Sequence, residues 1–236
     1  HRGFETLTVV SKGFIDHADS LGASARYGDG DAQWLTAGDG INHSEMFPLF
    51  SQNGNNKLDF FQIWLNLPSY NKRVEPNFEM YWEDEIPKIS SNLNGNKNVQ
   101  VEIITGDYLD FSSPIAPKNS WANNKKNDVA VWIIRLDRNG NFAIPNTKSG
   151  AKRNLYVLKG SNMEIDGQII SGGSMVTLNS SKNTVLKNLG NKTKILMLQG
   201  VPINEPVVKY GPFVMNTRSE IEQAFYDYNK TEFGGW

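Results

Sequence analysis

The chain has 236 residues, enough for one large or two small cores. Its 24 basic and 25 acidic residues leave a formal net charge of −1, which gives no electrostatic case for binding nucleic acid or an anionic membrane. No stretch reaches the ~20 apolar residues of a membrane span, and the lack of cysteine excludes disulfides, thiolate metal sites and cysteine redox chemistry.

Short apolar runs rich in β-branched and aromatic residues recur between Gly, Asn and Asp breakers, the pattern of an all-β chain. Strands are predicted near 4–11, 14–17, 24–27, 31–36, 43–46 and 58–67 in the first part of the chain. The polar stretch Asn94-Gly95-Asn96-Lys97-Asn98 reads as a loop between halves. Further strands are predicted near 99–105, 129–136, 154–159, 162–165, 174–178, 184–187 and 193–199. Asn139-Gly140 reads as a two-residue hairpin turn between the runs on either side. Near the end, Thr217-Arg218-Ser219-Glu220 is a capping box. Ile221, Ala224, Phe225 and Tyr228 follow at i, i+3, i+4 and i+7, so a helix with one packing face is expected. The domains expected are 1–98, 99–200, and a segment 201–236 whose helix packs back on the β structure.

The chemistry concentrates near the start. On a strand, residues i and i+2 share a face, so His43 and Glu45 aim an imidazole and a carboxylate at one point. His1 could join them from a neighbouring strand. Two imidazoles and a carboxylate with open positions suit non-haem Fe(II). The third histidine, His17 in Asp16-His17-Ala18-Asp19, reads as a solvated turn residue. A faint repeat aligns Thr8–Gly13 with Leu155–Gly160. It sets Lys148 at His1, Lys152 at Glu5, and Leu186 and Asn188 near His43 and Glu45, so metal-binding side chains are expected in the first half alone.

Four stretches carry a family resemblance. They are His1-Arg2-Gly3-Phe4-Glu5-Thr6, Gln33–Gly38 with Ile41–Met46, Gln62–Pro68, and Tyr210-Gly211-Pro212-Phe213-Val214-Met215-Asn216-Thr217. In this order they resemble the pirin family of bicupins across nearly the whole chain. The resemblance implies two consecutive cupin (jelly-roll) β-barrels with a C-terminal helix. It implies that His1, His43 and Glu45 bind metal. The family's first motif carries a further His-Pro before the residue matching His1, so the chain looks like a fragment whose fourth ligand, a histidine, is expected upstream of residue 1. Glu5 is expected to be structural or to support the ligands.

The implied metal is Fe(II), although the same ligands accept Ni, Co, Mn or Cu. The implied reaction is oxygenative ring opening of a flavonol such as quercetin, with dioxygen as co-substrate. Glu45 would be both ligand and the base that takes the 3-hydroxyl proton. Gln33, Trp34, Met46, Gln62 and Trp64 are expected in the substrate pocket or behind the ligands. An alternative is a regulatory protein that binds a protein partner and responds to the oxidation state of the iron, with Lys12, Arg26 and Lys57 as contributors to a charged surface. A cytoplasmic monomer is expected, and the Asn-x-Ser/Thr triplets at Asn42, Asn179, Asn191 and Asn229 read as chance.

Overall fold

The computed structural model describes residues 1–90, 98–147, 150–159 and 162–235. The chain divides into two units. The first takes in His1–Glu85, Pro117–Asn123 and the chain from Ile203 on; the second takes in Ile86–Ala116 and Asn124–Pro202.

In the first unit, period-two alternation gives β1 (Phe4–Lys12), β2 (Phe14–Asp19), β3 (Ser24–Gly28), β4 (Ala32–Thr36), β5 (His43–Met46), β6 (Asp59–Asn66) and β7 (Asn77–Tyr81). They form two antiparallel sheets, one ordered β6-β1-β4-β7 and the other β3-β2-β5. Val10, Ile15 and Tyr27 make one buried cluster, with Phe60 and Met80 packed on it. Leu35, Ala37 and Ile41 make another with Phe78.

The second unit holds β8 (Lys88–Ser90), β9 (Val99–Thr105), β10 (Asp107–Tyr108), β11 (Phe111–Ser112), β12 (Ala130–Asp137) and β13 (Asn141–Ile144). It continues with β14 (Lys152–Lys159), β15 (Met163–Ile165), β16 (Gln168–Ile170), β17 (Met175–Leu178), β18 (Thr184–Asn188) and β19 (Lys192–Gly200). A sheet ordered β17-β14-β19-β12-β9-β8 and a sheet ordered β13-β18-β15-β16 bury an apolar cluster around Trp132, Phe142, Leu155 and Met197.

The pairings in the two units match. β14 lies between β17 and β19 as β1 lies between β4 and β6, and β15 lies between β16 and β18 as β2 lies between β3 and β5. β18 therefore holds the place of β5. Its Leu186 is core, and the Asn188 amide donates to the Leu136 and Asp137 carbonyls at 2.9 and 3.0 Å. Where β5 carries an imidazole and a carboxylate, β18 carries packing and a backbone clamp. Lys148 and Gly160 of the aligned repeat, and 94–97 of the expected inter-half loop, lie outside the described residues.

Asn139-Gly140 does form a tight turn, with the Gly140 N–H donating to the Asp137 carbonyl at 2.9 Å. It does not make the expected hairpin. β12 pairs with β9 and β19, while β13 pairs with β18, so the turn carries the chain from one sheet to the other. The burial of Phe142 and Ile144 on β13 fixes that corner, which a two-residue turn signal cannot distinguish from a hairpin.

The chain returns to the first unit through β20 (Val208–Tyr210) and β21 (Phe213–Met215), a paired hairpin, and ends in α1 (Arg218–Thr231). Thr217 caps the helix through the expected capping box with Glu220. Ile221 and Ala224 are buried against Phe213, Met215 and Phe233, with Phe225 beside them. No helix among the described residues is long and apolar enough to cross a membrane.

Candidate metal centre

Strand register assembles the site. On β2 and β5, His17 lies directly opposite Glu45 and Asp19 directly opposite His43. Directly opposed residues and residues two apart share a face, so these four side chains form a square on one side of the pair. Donor atoms of His17, His43 and Glu45 all lie within 4.8 Å of one another. The expectation of a solvated turn at His17 is corrected: it lies inside β2 with its side chain fully buried. Ile15, His17 and Asp19 alternate inward with Asp16 and Ala18 between them, so the polar residues continue an apolar face.

His1 stands beside this square. Its ring centroid is 5.0 Å from that of His43, and that of His17 is 5.3 Å from His43 on the same measure. The Nδ1–H of His1 donates to the Pro212 carbonyl at 3.2 Å, which leaves the lone pair on Nε2. Metal-binding imidazoles characteristically donate their second N–H in this way. Burial above all, and then the nearby His17, push the His43 imidazole down to about 4, so it is neutral and able to ligate near neutral pH. Its Nδ1 is buried with no hydrogen-bond partner among the described residues. Imidazoles with a nitrogen lone pair turned toward a carboxylate fit a divalent metal.

The facing sheet supports the carboxylate. Gln33, Thr8 and Gln62 are aligned across β4, β1 and β6, on one face of that sheet. Gln62 is exposed, and its amide donates to both oxygens of Glu45 at 3.2 and 3.0 Å. Gln33 is fully buried on the same face, and neither of its side-chain amide atoms has a partner among the described residues. Trp64 lies opposite Thr6 on this face, edge-on to the His1 ring with centroids 5.9 Å apart.

Two expected site residues point elsewhere. Trp34 lies opposite Leu7, on the other face of the sheet from Gln33, where it packs edge-on against Tyr81. Met46 lies opposite Asp16, on the outer side of the β2–β5 pair, and is exposed. Both follow from alternation: a residue adjacent to a site residue on a strand faces away from it. Glu5 is buried on the sheet face opposite Thr6 and Thr8, and its carboxylate accepts from the hydroxyls of Thr36 at 2.7 Å and Ser120 at 2.6 Å.

Sequence reasoning missed His17, Asp19 and Tyr27. Tyr27 lies opposite Ile15, hence on the same face as His17. Burial first, and the Glu45 carboxylate second, raise its phenol above the ordinary range. The available signal was the alternation of β2, which continues to Asp19. Next to His1 and His43 is a cavity of about 290 Å³, lined also by Ile41, Phe213, Phe225 and Tyr228. The hairpin β20–β21 and helix α1 thus build one wall beside the imidazoles.

Two family models match the sequence, one described as Pirin over residues 1–65 and one as Pirin C-terminal cupin domain over residues 131–234. A Pseudomonas aeruginosa protein named "Putative quercetin 2,3-dioxygenase PA2418" is 31% identical over 233 residues, covering 99% of this chain and 77% of its own length. Pirin-1 of Arabidopsis thaliana is 31% identical over 239 residues, covering 99% of this chain and 76% of its own. The crystal structure of quercetin 2,3-dioxygenase from Acinetobacter baumannii superposes with a TM-score of 0.86 at 31% identity, covering 99% of this chain and 77% of that one.

Proposed function

Since the chain belongs to the pirin family of bicupins, we propose that its first unit is a metal-dependent dioxygenase site for a flavonol such as quercetin. The observation that carries this reading is the meeting of neutral imidazole and carboxylate with an aromatic-walled cavity. His43 and Glu45 share one strand face, and His1 and His43 also line the 290 Å³ space closed by Phe213, Phe225 and Tyr228.

In this reading His1, His43 and Glu45 hold Fe(II), with Ni, Co, Mn or Cu as substitutes the same donors accept. The bound metal would supply the Lewis-acid and redox chemistry that a reaction with dioxygen requires. The chain's own work is positional and protolytic. Phe225, Tyr228 and Phe213 stack on the planar rings of the substrate and keep water from them. Glu45 accepts the proton of the flavonol 3-hydroxyl on a carboxylate oxygen, leaving the electron-rich anion. The Gln62 amide, already donating to both Glu45 oxygens, steers the carboxylate and stabilises its charge between turnovers. Gln33, with an unpaired buried amide on the same face, offers hydrogen bonds to substrate hydroxyls.

The regulatory alternative draws less support. Of the three residues expected to make a charged surface, Arg26 is held in a two-pronged pair with Asp16 at 2.6 and 2.7 Å. The deciding experiment is flavonol absorbance decay under air with iron-loaded protein, against His43→Ala and Glu45→Gln variants. Consumption lost in both variants supports the reading; no consumption of any flavonol by the loaded protein sinks it.

A further inference from the structure

The second unit has an opening at the end of its barrel that corresponds to the metal centre of the first. Ile165 of β15 lies opposite Leu186 of β18, as Asp19 lies opposite His43 across β2 and β5. Beside Ile165 is a cavity of about 210 Å³, bounded by β16 and β17, which are edge strands of the unit's two sheets. Register sets its lining. Ile170 lies opposite Met163, Val176 opposite Leu155 and Leu178 opposite Arg153, so these side chains point between the sheets. They are only partly buried and rest on the apolar core. A floor of this kind keeps apolar area in water that a ligand would cover. The volume is below the ~300 Å³ at which pockets for drug-sized ligands begin, so the occupant it fits is small.

Two opposite charges stand at the rim. Asp166 sits in the β15–β16 turn with φ 48°. Its N–H donates to the Val185 carbonyl at 3.1 Å, and its Oδ1 accepts from the Val185 N–H at 2.8 Å. The second carboxylate oxygen accepts nothing among the described residues. Lys182 comes from the turn between β17 and β18, where its N–H donates to the Asn179 carbonyl at 3.1 Å. Its ammonium makes no ion pair among the described residues, with Asp166 or any other group. A carboxylate and an ammonium that do not pair with each other, above one apolar floor, are complementary to a zwitterion with an apolar side chain. A fatty acid or an alkyl amine would match one charge and oppose the other.

We propose that the mouth of the second barrel binds a free hydrophobic α-amino acid about the size of leucine. Its ammonium meets Asp166, its carboxylate meets Lys182, and its side chain covers Ile170, Val176 and Leu178. This assignment is independent of the metal-site reading in the first unit.

The test is calorimetric titration of leucine into the whole chain in EDTA, which prevents the probe from chelating a metal held by the first unit. Amide signals of the isotope-labelled chain locate the probe. Leucine is expected to bind at one site and to move the signals of Asp166, Val176 and Lys182. Glycine, without the apolar side chain, is expected to bind more than about 10-fold more weakly. Isocaproate and isoamylamine each lack one charge and are expected to bind about 2–5-fold more weakly, the range of an exposed ion pair.

Asp166→Asn keeps an oxygen for the Val185 N–H and tolerates the left-handed turn. It is expected to weaken leucine by about 2–5-fold without weakening isocaproate. Lys182→Gln is expected to weaken leucine and isocaproate but not isoamylamine. Both residues are exposed, so both variants are expected to fold. Leucine that binds no more tightly than the two analogues overturns the proposal, as do variants that leave its affinity unchanged. Absence of leucine binding, or signal changes confined to the first unit, overturns it as well.

Discussion

Gln62 holds Glu45 by both oxygens, its single amide nitrogen lying 3.2 and 3.0 Å from them. The two residues come from different sheets of the first unit, so this contact ties the carboxylate on β5 to β6. Because the glutamine is exposed, it adds little to folding and acts mainly on the carboxylate. Gln62→Leu is therefore expected to weaken metal binding by about 10-fold or more, while changing the unfolding free energy by no more than about 0.5 kcal/mol. Calorimetric metal titration beside urea unfolding checks this; a variant that loses stability but keeps its metal affinity would contradict it.

Much of this site was legible because strands declare their faces. The i, i+2 relation of His43 and Glu45 holds, and Gln62, Gln33 and Trp64 all fall on the inward face of their sheet. The sequence reading failed where polarity was taken for exposure. Asp16-His17-Ala18-Asp19 resembles a turn by composition, yet the strand runs through it and buries His17 and Asp19 toward a polar site. It failed again where proximity in sequence stood in for proximity in space. Trp34 and Met46 flank site residues and for that reason face away from them. Ser120 could not be foreseen as a partner of Glu5, since 115 positions separate them and no local pattern encodes the contact.

Glu5 makes stability depend on pH. Burial raises its carboxyl from 4.5 to about 7, against the opposing effect of the Ser120 and Thr36 hydroxyls that donate to it. Between those two values the folded chain binds more protons than the unfolded one, so this group's contribution declines as pH rises from about 4.5 and is fully lost above about 7. The shift corresponds to roughly 3 kcal/mol as an order of magnitude. Glu5→Gln is expected to flatten this part of the profile and to be more stable than the unaltered chain at pH 8, by about 1–3 kcal/mol. Parallel urea-unfolding profiles for the two proteins from pH 4.5 to 8 would show that Glu5 is not the group responsible.

The wall of the cavity next to the imidazoles should govern substrate fit rather than metal binding. Phe225 and Tyr228 project from α1 and line the space with His1 and His43. Truncating an aromatic side chain there removes stacking area that a planar substrate would cover. Phe225→Ala is expected to raise KM for a flavonol by about 10-fold, as the loss of 1–2 kcal/mol of contact implies, with metal content unchanged. An unchanged KM with lowered metal content would assign this wall to the ligands instead.

Lys72 is a buried cation that ties together the stretches on either side of His1's ring contact. It is 1% exposed, and its ammonium donates to the Gly3 carbonyl at 2.9 Å, the Asn66 side-chain carbonyl at 2.8 Å and the Val214 carbonyl at 2.8 Å. Three separate stretches of the first unit thus converge on one nitrogen. Gly3 and Val214 approach so closely that a Cβ at Gly3 would lie 2.2 Å from the Val214 oxygen. The stretch that carries His1 is therefore held against the one that supplies Pro212, the acceptor for the His1 ring. Lys72→Met keeps most of the volume but leaves three acceptors without their donor, and is expected to cost about 2–4 kcal/mol of unfolding free energy. Loosening this junction should also free the His1 ring from Pro212, so metal affinity is expected to fall even in the fraction that stays folded. Urea unfolding and metal titration of the same sample separate the two effects. Stability lost with affinity intact would mean that His1 is held by its own contacts and not through Lys72.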